Sequence, residues 1–269
     1  MHRMTNLKTG LLITGIVLIM LLIRTTRDGE LILQILFSSE SNNGQIPAFS
    51  MIQYSDIWFM ILLPLMISVP FLFPLEDALQ GGYWRTQVSR TGKRGFICRA
   101  LSANLFSGSC FLLLGYLLYV VLCYFRLPLF SDITDLSTGQ PFQYRNDLLH
   151  TESESYGVFV RICIFAAVCM LTASACMLSM QLSRNKFRGI GSVMILCYLL
   201  DTLSGVLALH SVPINTRWYI ISPTEHLMNA ETMFTVFGVS FWWYWGGMAA
   251  LILLLNLCSA ALLKRRINW

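Results

Sequence analysis

Two stretches of this chain constrain it more than anything else in it. Leu101–Phe125 reads LSANLFSGSCFLLLGYLLYVVLCYF, and Gly246–Leu263 reads GGMAALILLLNLCSAALL. Neither contains Asp, Glu, Lys, Arg or His. A helix that is apolar on all sides has no face to give to water. A bilayer core about 30 Å thick asks for roughly 20 such residues in a row. The whole chain of 269 residues is 55% hydrophobic and only 12% charged, against about 25% charged in an ordinary soluble domain. The expected class is therefore an all-α membrane protein, with residues 1–269 as a single transmembrane domain.

Apolar runs place six spans at about 9–24, 57–75, 99–125, 157–181, 189–209 and 238–263. The first, GLLITGIVLIMLLI, is short and follows Arg3 and Lys8 as a signal peptide would. The residues after it, RTTRDGE, offer no small-x-small cleavage site, so it reads as a retained helix with Lys8 and Arg24 at its two interfaces. Between the spans lie longer segments at roughly 25–56, 126–156 and 210–237. Within them, GELILQILF is too short to cross and suits the interface. The segment 210–237 carries two prolines and mixed polarity; it is read either as a re-entrant element or as an ordered surface loop.

Cations set the orientation. Six crossings put both termini on one side, together with 76–98 and 182–188. That side holds thirteen of the 19 Lys and Arg residues; the other holds six. Short loops rich in Lys and Arg stay in the cytoplasm, so both termini are expected there and the protein is expected in the plasma membrane. The net charge of +5 follows from this asymmetry and does not point to nucleic acid. Eleven of the fourteen acids fall on the outer side, and only Glu76 and Asp77 on the inner one. All eight cysteines lie in or beside spans, which argues against a disulfide framework. Tyr54, Trp58, Tyr83, Trp84, Trp218, Tyr219 and the run Trp242–Trp245 fall where an aromatic belt belongs.

Catalytic signatures are missing. The closest approach to a phosphate-binding loop is Gly92–Lys93, but Gln87 stands where the first glycine is needed. There is no His-Glu-x-x-His and no Gly-x-Ser-x-Gly. His210, His226 and Glu225 could meet Asp147 or Glu152 at an outer metal site, yet no spacing requires it. No catalytic residue and no metal ligand is assigned.

Four polar residues inside spans are candidates for a pathway. Asp201 in CYLLDTLSGVL is the one acid deep in a span, and exposing it to lipid would cost about 2.5–3.5 kcal/mol on insertion scales. Arg161, near the start of the fourth span, is its candidate partner. The pair reads as a structural ion pair or as a proton or substrate site. Asn104 and Asn256 read as helix–helix hydrogen bonds or ligand contacts. Pro64, Pro70 and Pro74 crowd the second span, as a fixed kink or as a bending element beside a pathway.

The segment between the second and third spans is the most charge-dense part of the chain: LEDALQGGYWRTQVSRTGKRGFICR, Leu75–Arg99. Acids come first and cations follow. Glu76 and Asp77 suit the start of a short helix; Gly81 and Gly82 would bend or end it. Arg90, Lys93, Arg94 and Arg99 suit lipid phosphates or an acidic partner. The segment resembles the loop between the second and third spans of type-2 ATP-binding-cassette (ABC) permeases. The matching features are Glu76, then Gly81 or Gly82, then Ser89–Arg90, Lys93–Arg94, and Arg99 opening the third span. The whole plan resembles that family too: six spans, both ends inside, and a large segment before the sixth span.

The resemblance implies that 76–98 forms a cytoplasmic coupling element resting on a separate ATPase subunit. Glu76, Asp77, Gly81, Arg85, Arg90, Lys93 and Arg94 would then be the coupling residues. It implies two permease subunits, identical or related, and ATP and Mg bound on the partner ATPase rather than on this chain. Polysaccharide exporters and the sterol-exporter branch usually carry an amphipathic helix before the first span. Eight residues leave no room for it here, which counts against those substrates. The expectation is the permease subunit of an ABC exporter, with a hydrophobic or antimicrobial peptide as first substrate guess and membrane lipid as its other partner. Two alternatives stand beside it: a membrane sensor or assembly protein whose basic segment recruits a partner or anionic lipid, and an intramembrane enzyme.

Overall fold

A computed structural model describes residues 7–23, 32–37, 57–127, 154–210, 222 and 241–267. The described residues form helices joined by turns, and no strand occurs among them. In chain order the helices are α1 (Leu7–Leu22), α2 (Ile32–Phe37), α3 (Ile57–Ser68), α4 (Leu72–Gln80), α5 (Trp84–Arg126), α6 (Glu154–Ser183), α7 (Lys186–His210) and α8 (Phe241–Ile267).

Four of them, α5 to α8, are long and apolar enough to cross a bilayer. Helices α3 and α4 qualify together as a fifth, bent by 56° at their junction. The chain is thus a multi-pass, membrane-embedded helical protein. Helix α1 has 16 residues; at about 1.5 Å per residue it is about 24 Å long, less than the hydrocarbon thickness. The interfacial segment expected in 25–56 contains α2, whose Ile32 and Leu36 are buried against α1 and α5. The expected re-entrant segment 210–237 lies outside the described residues, except for Ser222.

The three prolines of the second span act differently. Pro64 lies within α3, where the Ser68 hydroxyl donates to its carbonyl at 2.6 Å. Pro70 sits in the turn that separates α3 from α4, because proline cannot donate to a helical carbonyl and its ring clashes with the preceding turn. Pro74 falls in the first turn of α4, where a missing N–H costs nothing. Helix α4 therefore begins at Leu72, earlier than the acids suggested, and Glu76 and Asp77 lie in its middle.

Helix α6 is the hub: it touches α3, α5, α7 and α8. Its neighbours are held by close packing and by single polar contacts, as expected where lipid removes the hydrophobic drive between helices. Tyr116 stacks on Phe165 with ring centroids 4.3 Å apart. The Asn104 amide donates to the Ala173 carbonyl at 2.9 Å. Asn256 donates to the Ser174 hydroxyl at 2.8 Å. Thr14 donates to the Phe111 carbonyl at 3.0 Å, tying α1 to α5. Gly108 lets α5 press against the backbone of α3 at Ile67, where any side chain would collide with the Ile67 carbonyl.

These contacts fix the directions. Helices α5 and α6 are antiparallel, because Asn104 meets Ala173 while Tyr116 meets Phe165. Helix α8 runs alongside α6, because Asn256 meets Ser174 and Arg266 meets Gln181. A two-residue turn reverses the chain between α6 and α7. There Arg184 takes a positive φ of 51°, and the Asn185 side chain accepts from the N–H groups of Phe187 and Arg188 at 3.0 and 3.2 Å. Asn185 is the N-cap of α7, satisfying two donors that the helix itself cannot. The start of α5, the end of α6, the start of α7 and the end of α8 consequently share one end of the bundle. That end gathers Arg85–Arg99, Arg184–Arg188 and Lys264–Arg266, while the far ends of the same helices carry Arg126 and Arg161.

Candidate functional site

The charged segment lies at the cation-rich end, and it is largely helical. Residues 76–80 complete α4, and 84–98 begin α5. Between them, Gly81 caps α4 in an ordinary right-handed conformation, its N–H donating to the Asp77 carbonyl at 2.9 Å. Gly82 makes the turn, with φ of 72°, a value that a residue with a Cβ rarely adopts. A second break follows at Gly92, with φ 72° and ψ 160°, a region open essentially to glycine alone. Trp84–Thr91 is therefore a short helical arm between two glycine joints, followed by the long membrane-crossing part of α5.

The acidic half of the segment is engaged inside the protein. Glu76 is 0% exposed. Both of its carboxylate oxygens accept from the Arg266 guanidinium at 2.8 Å. Gln80 donates to the same carboxylate at 2.9 Å, and Arg266 also reaches the Gln181 amide oxygen at 3.4 Å. Four side chains from α4, α6 and α8 thus form one polar knot. A two-pronged arginine–carboxylate pair with extra donors is the arrangement that makes a buried charge tolerable. Asp77, one residue on, is exposed and pairs with Lys186 at 2.6 Å. The Lys186 ammonium lies 5.4 and 5.7 Å from the ring centroids of Phe73 and Phe187, which pack edge to face.

The basic half is open. Arg85, Arg90, Lys93, Arg94 and Arg99 are all exposed. Arg85 lies over the Trp84 ring, 5.7 Å from its centroid. Under the arm is a cavity of about 340 Å³. Its rim carries Tyr83, Thr86, Gln87, Arg90, Thr91 and Arg99; its floor is Phe71, Phe96 and Ala100, all three buried. Glu76 is taken by Arg266 and Asp77 by Lys186, and neither Arg90 nor Arg99 has a carboxylate beside it among the described residues.

Of the pathway candidates, Asn104 and Asn256 bond to adjacent residues of α6, Ala173 and Ser174. Asn104 and Asn256 sit in the bundle interior and bond across helices, as described above. Asn256 Oδ1 is buried and has no hydrogen-bond partner among the described residues. Asp201 accepts from the Ser222 hydroxyl at 2.6 Å, which ties α7 to the segment following it. Arg161 is buried near the opposite end of α6 from the charged junction.

Sequence reasoning did not find Arg266 and Gln80 as partners of Glu76, or Lys186 as the partner of Asp77. One signal was there to use: only two acids accompany thirteen cations on that side, so each acid had a cation to find. Which cation was not readable, since Glu76 and Arg266 are 190 residues apart in the chain. No family model matches the chain, and no curated protein or solved structure is significantly similar to it.

Proposed function

We propose that this protein is the transmembrane permease subunit of a type-2 ABC exporter. In this reading it crosses the plasma membrane six times with both termini in the cytoplasm, and a separate subunit hydrolyses ATP. The observation that carries the proposal is the helical arm Trp84–Thr91, which stands between two glycine joints at the cation-rich end. An arm hinged at both ends and studded with exposed cations is suited to rest on a partner and pass its movement into the long helix that follows. Arg85, Lys93 and Arg94 would meet the ATPase, and Arg90, the coupling residue that lines the cavity beneath the arm, would carry the contact inward.

Glu76 acts from inside in this scheme. It holds α4 to α8 through Arg266, so that force on the arm reaches the bundle as a unit. Asp77 and Gly81 position the start of the arm. Docking that differs between nucleotide states would shift the balance of inward- and outward-facing forms, because a partner moves an equilibrium only by its differential affinity. The bent α3–α4 pair beside the hub helix is the element most suited to change shape. Asn104, Arg161, Asp201 and Asn256 remain the proposed pathway residues, and a hydrophobic or cationic peptide the proposed substrate. A second permease subunit, identical or related, would complete the pathway.

Co-purification of the full chain with an ATPase subunit, followed by transport in vesicles, tests the proposal. Arg90→Ala should leave assembly intact and lower transport per ATP hydrolysed. A protein that is fully active with no ATP-hydrolysing companion would overturn the reading and favour a sensor or assembly role.

A further inference from the structure

The cavity under the arm combines three features. Two arginines, Arg90 and Arg99, flank its mouth with no carboxylate beside either among the described residues. Tyr83 and Thr86 line the same rim, the Thr86 hydroxyl donating to the Tyr83 carbonyl at 2.8 Å. The floor is apolar, formed by the buried rings of Phe71 and Phe96. The cavity also lies at a definite height. Arg99 is the last cation before the uncharged stretch that continues to Phe125, so the mouth sits where the hydrocarbon-spanning part of α5 begins. Trp84 adjoins it, and aromatic rings of this kind favour the headgroup level of a bilayer.

We propose that this cavity binds the phosphate group of an anionic phospholipid, with Arg90 and Arg99 on the phosphate oxygens and Phe71 and Phe96 against the glycerol and first acyl carbons. Arginine suits a phosphate because its planar fork presents parallel N–H donors to two oxygens. The volume is within the range of small-molecule sites. Basic pockets between membrane helices are known to take anionic headgroups. The apolar floor separates a lipid from a free phosphate ion, which has no apolar part to set against it. The site needs only that the protein is embedded in a membrane; it does not depend on the ABC reading.

The test uses the full chain in an uncharged detergent, titrated with short-chain phosphatidylglycerol, short-chain phosphatidylcholine and inorganic phosphate, with bound lipid counted by native mass spectrometry. Phosphatidylglycerol should bind at least tenfold more tightly than phosphatidylcholine, and millimolar phosphate should not displace it. Arg90→Ala/Arg99→Ala should lose at least tenfold in affinity. Arg188→Ala/Lys264→Ala removes the same charge from the same end of the bundle and should change it less than twofold. Thr86→Trp keeps both arginines but fills the mouth, and should also lose at least tenfold. Equal losses in the two double variants would overturn the site in favour of general charge attraction. Unchanged binding in Thr86→Trp would overturn the cavity as its location. Displacement by phosphate alone would overturn the lipid as its ligand.

Discussion

The two halves of the segment 76–98 carry opposite charge and have opposite fates. Glu76 disappears into a knot with Arg266, Gln80 and Gln181, while Arg85, Arg90, Lys93 and Arg94 stand in the open. The difference is one of supply. Glu76 and Asp77 are each matched by a cation, Arg266 and Lys186, whereas Arg85, Arg90 and Arg94 have no carboxylate beside them among the described residues. The matched charges hold helices together, and the exposed ones face outward. Solvation reinforces the division. A buried carboxylate without a cation is very costly, whereas an exposed arginine without a carboxylate costs little.

Substitutions can break that comparison, and their effects should fall in a definite order. Glu76→Ala should be the worst, because it strands the Arg266 guanidinium in a largely buried place. A loss of about 3–5 kcal/mol is expected from removing one member of a buried pair, read as a lowered unfolding temperature in detergent. Glu76→Met/Arg266→Met should recover much of it, since an apolar pair of similar volume leaves no stranded charge. A Glu76→Ala protein as stable as the wild type would mean that the knot does not hold the bundle together.

Gly92→Ala comes next. At φ 72° and ψ 160° an alanine is strained by about 1–3 kcal/mol. The chain can escape by straightening into one continuous helix, which would swing the arm away from Phe71 and Phe96. Spin labels at Val88 and Leu101 should report a changed separation, and an unchanged distance with unchanged stability would remove the joint. Asp77→Ala breaks an exposed pair and should cost no more than about 1 kcal/mol. Arg90→Ala should have the smallest effect on unfolding, within about 0.5 kcal/mol. If Arg90→Ala destabilised the protein as much as Glu76→Ala, the distinction between a matched half and an exposed half would be lost.

How much of this was legible beforehand differs by element. The runs 157–181 and 189–209 fall inside α6 and α7, each helix extending a few residues past them. The run 238–263 matches α8, which starts at Phe241 and ends at Ile267. The run 99–125 matches only the second part of α5, which begins fifteen positions earlier, at Trp84. Four glycines and a cluster of charges make Gly81–Gly95 read as loop, because glycine is a poor helix former. The arm is helical because Phe96, Ile97 and Ala100 are buried beyond it and Gly82 and Gly92 absorb the turns on either side. The run 57–75 concealed a 56° bend. Its prolines announced a disturbance but not which of them would break the helix. Asn104 and Asn256 were flagged as polar residues in apolar surroundings, and their cross-helix bonds became visible only when their neighbours were known.

By itself, the sequence determined that this is a helical membrane protein, where the apolar parts of its long helices lie, and that its cations gather at one end. Each of these follows from the transfer of side chains between water and hydrocarbon, a property that accumulates residue by residue along a short window. The tertiary structure decided which charges are paired and which are left exposed. Pairing acts over a few ångströms in space, and Glu76 and Arg266 are brought within that reach by α5, α6, α7 and α8 folding back on one another, with 190 residues between them.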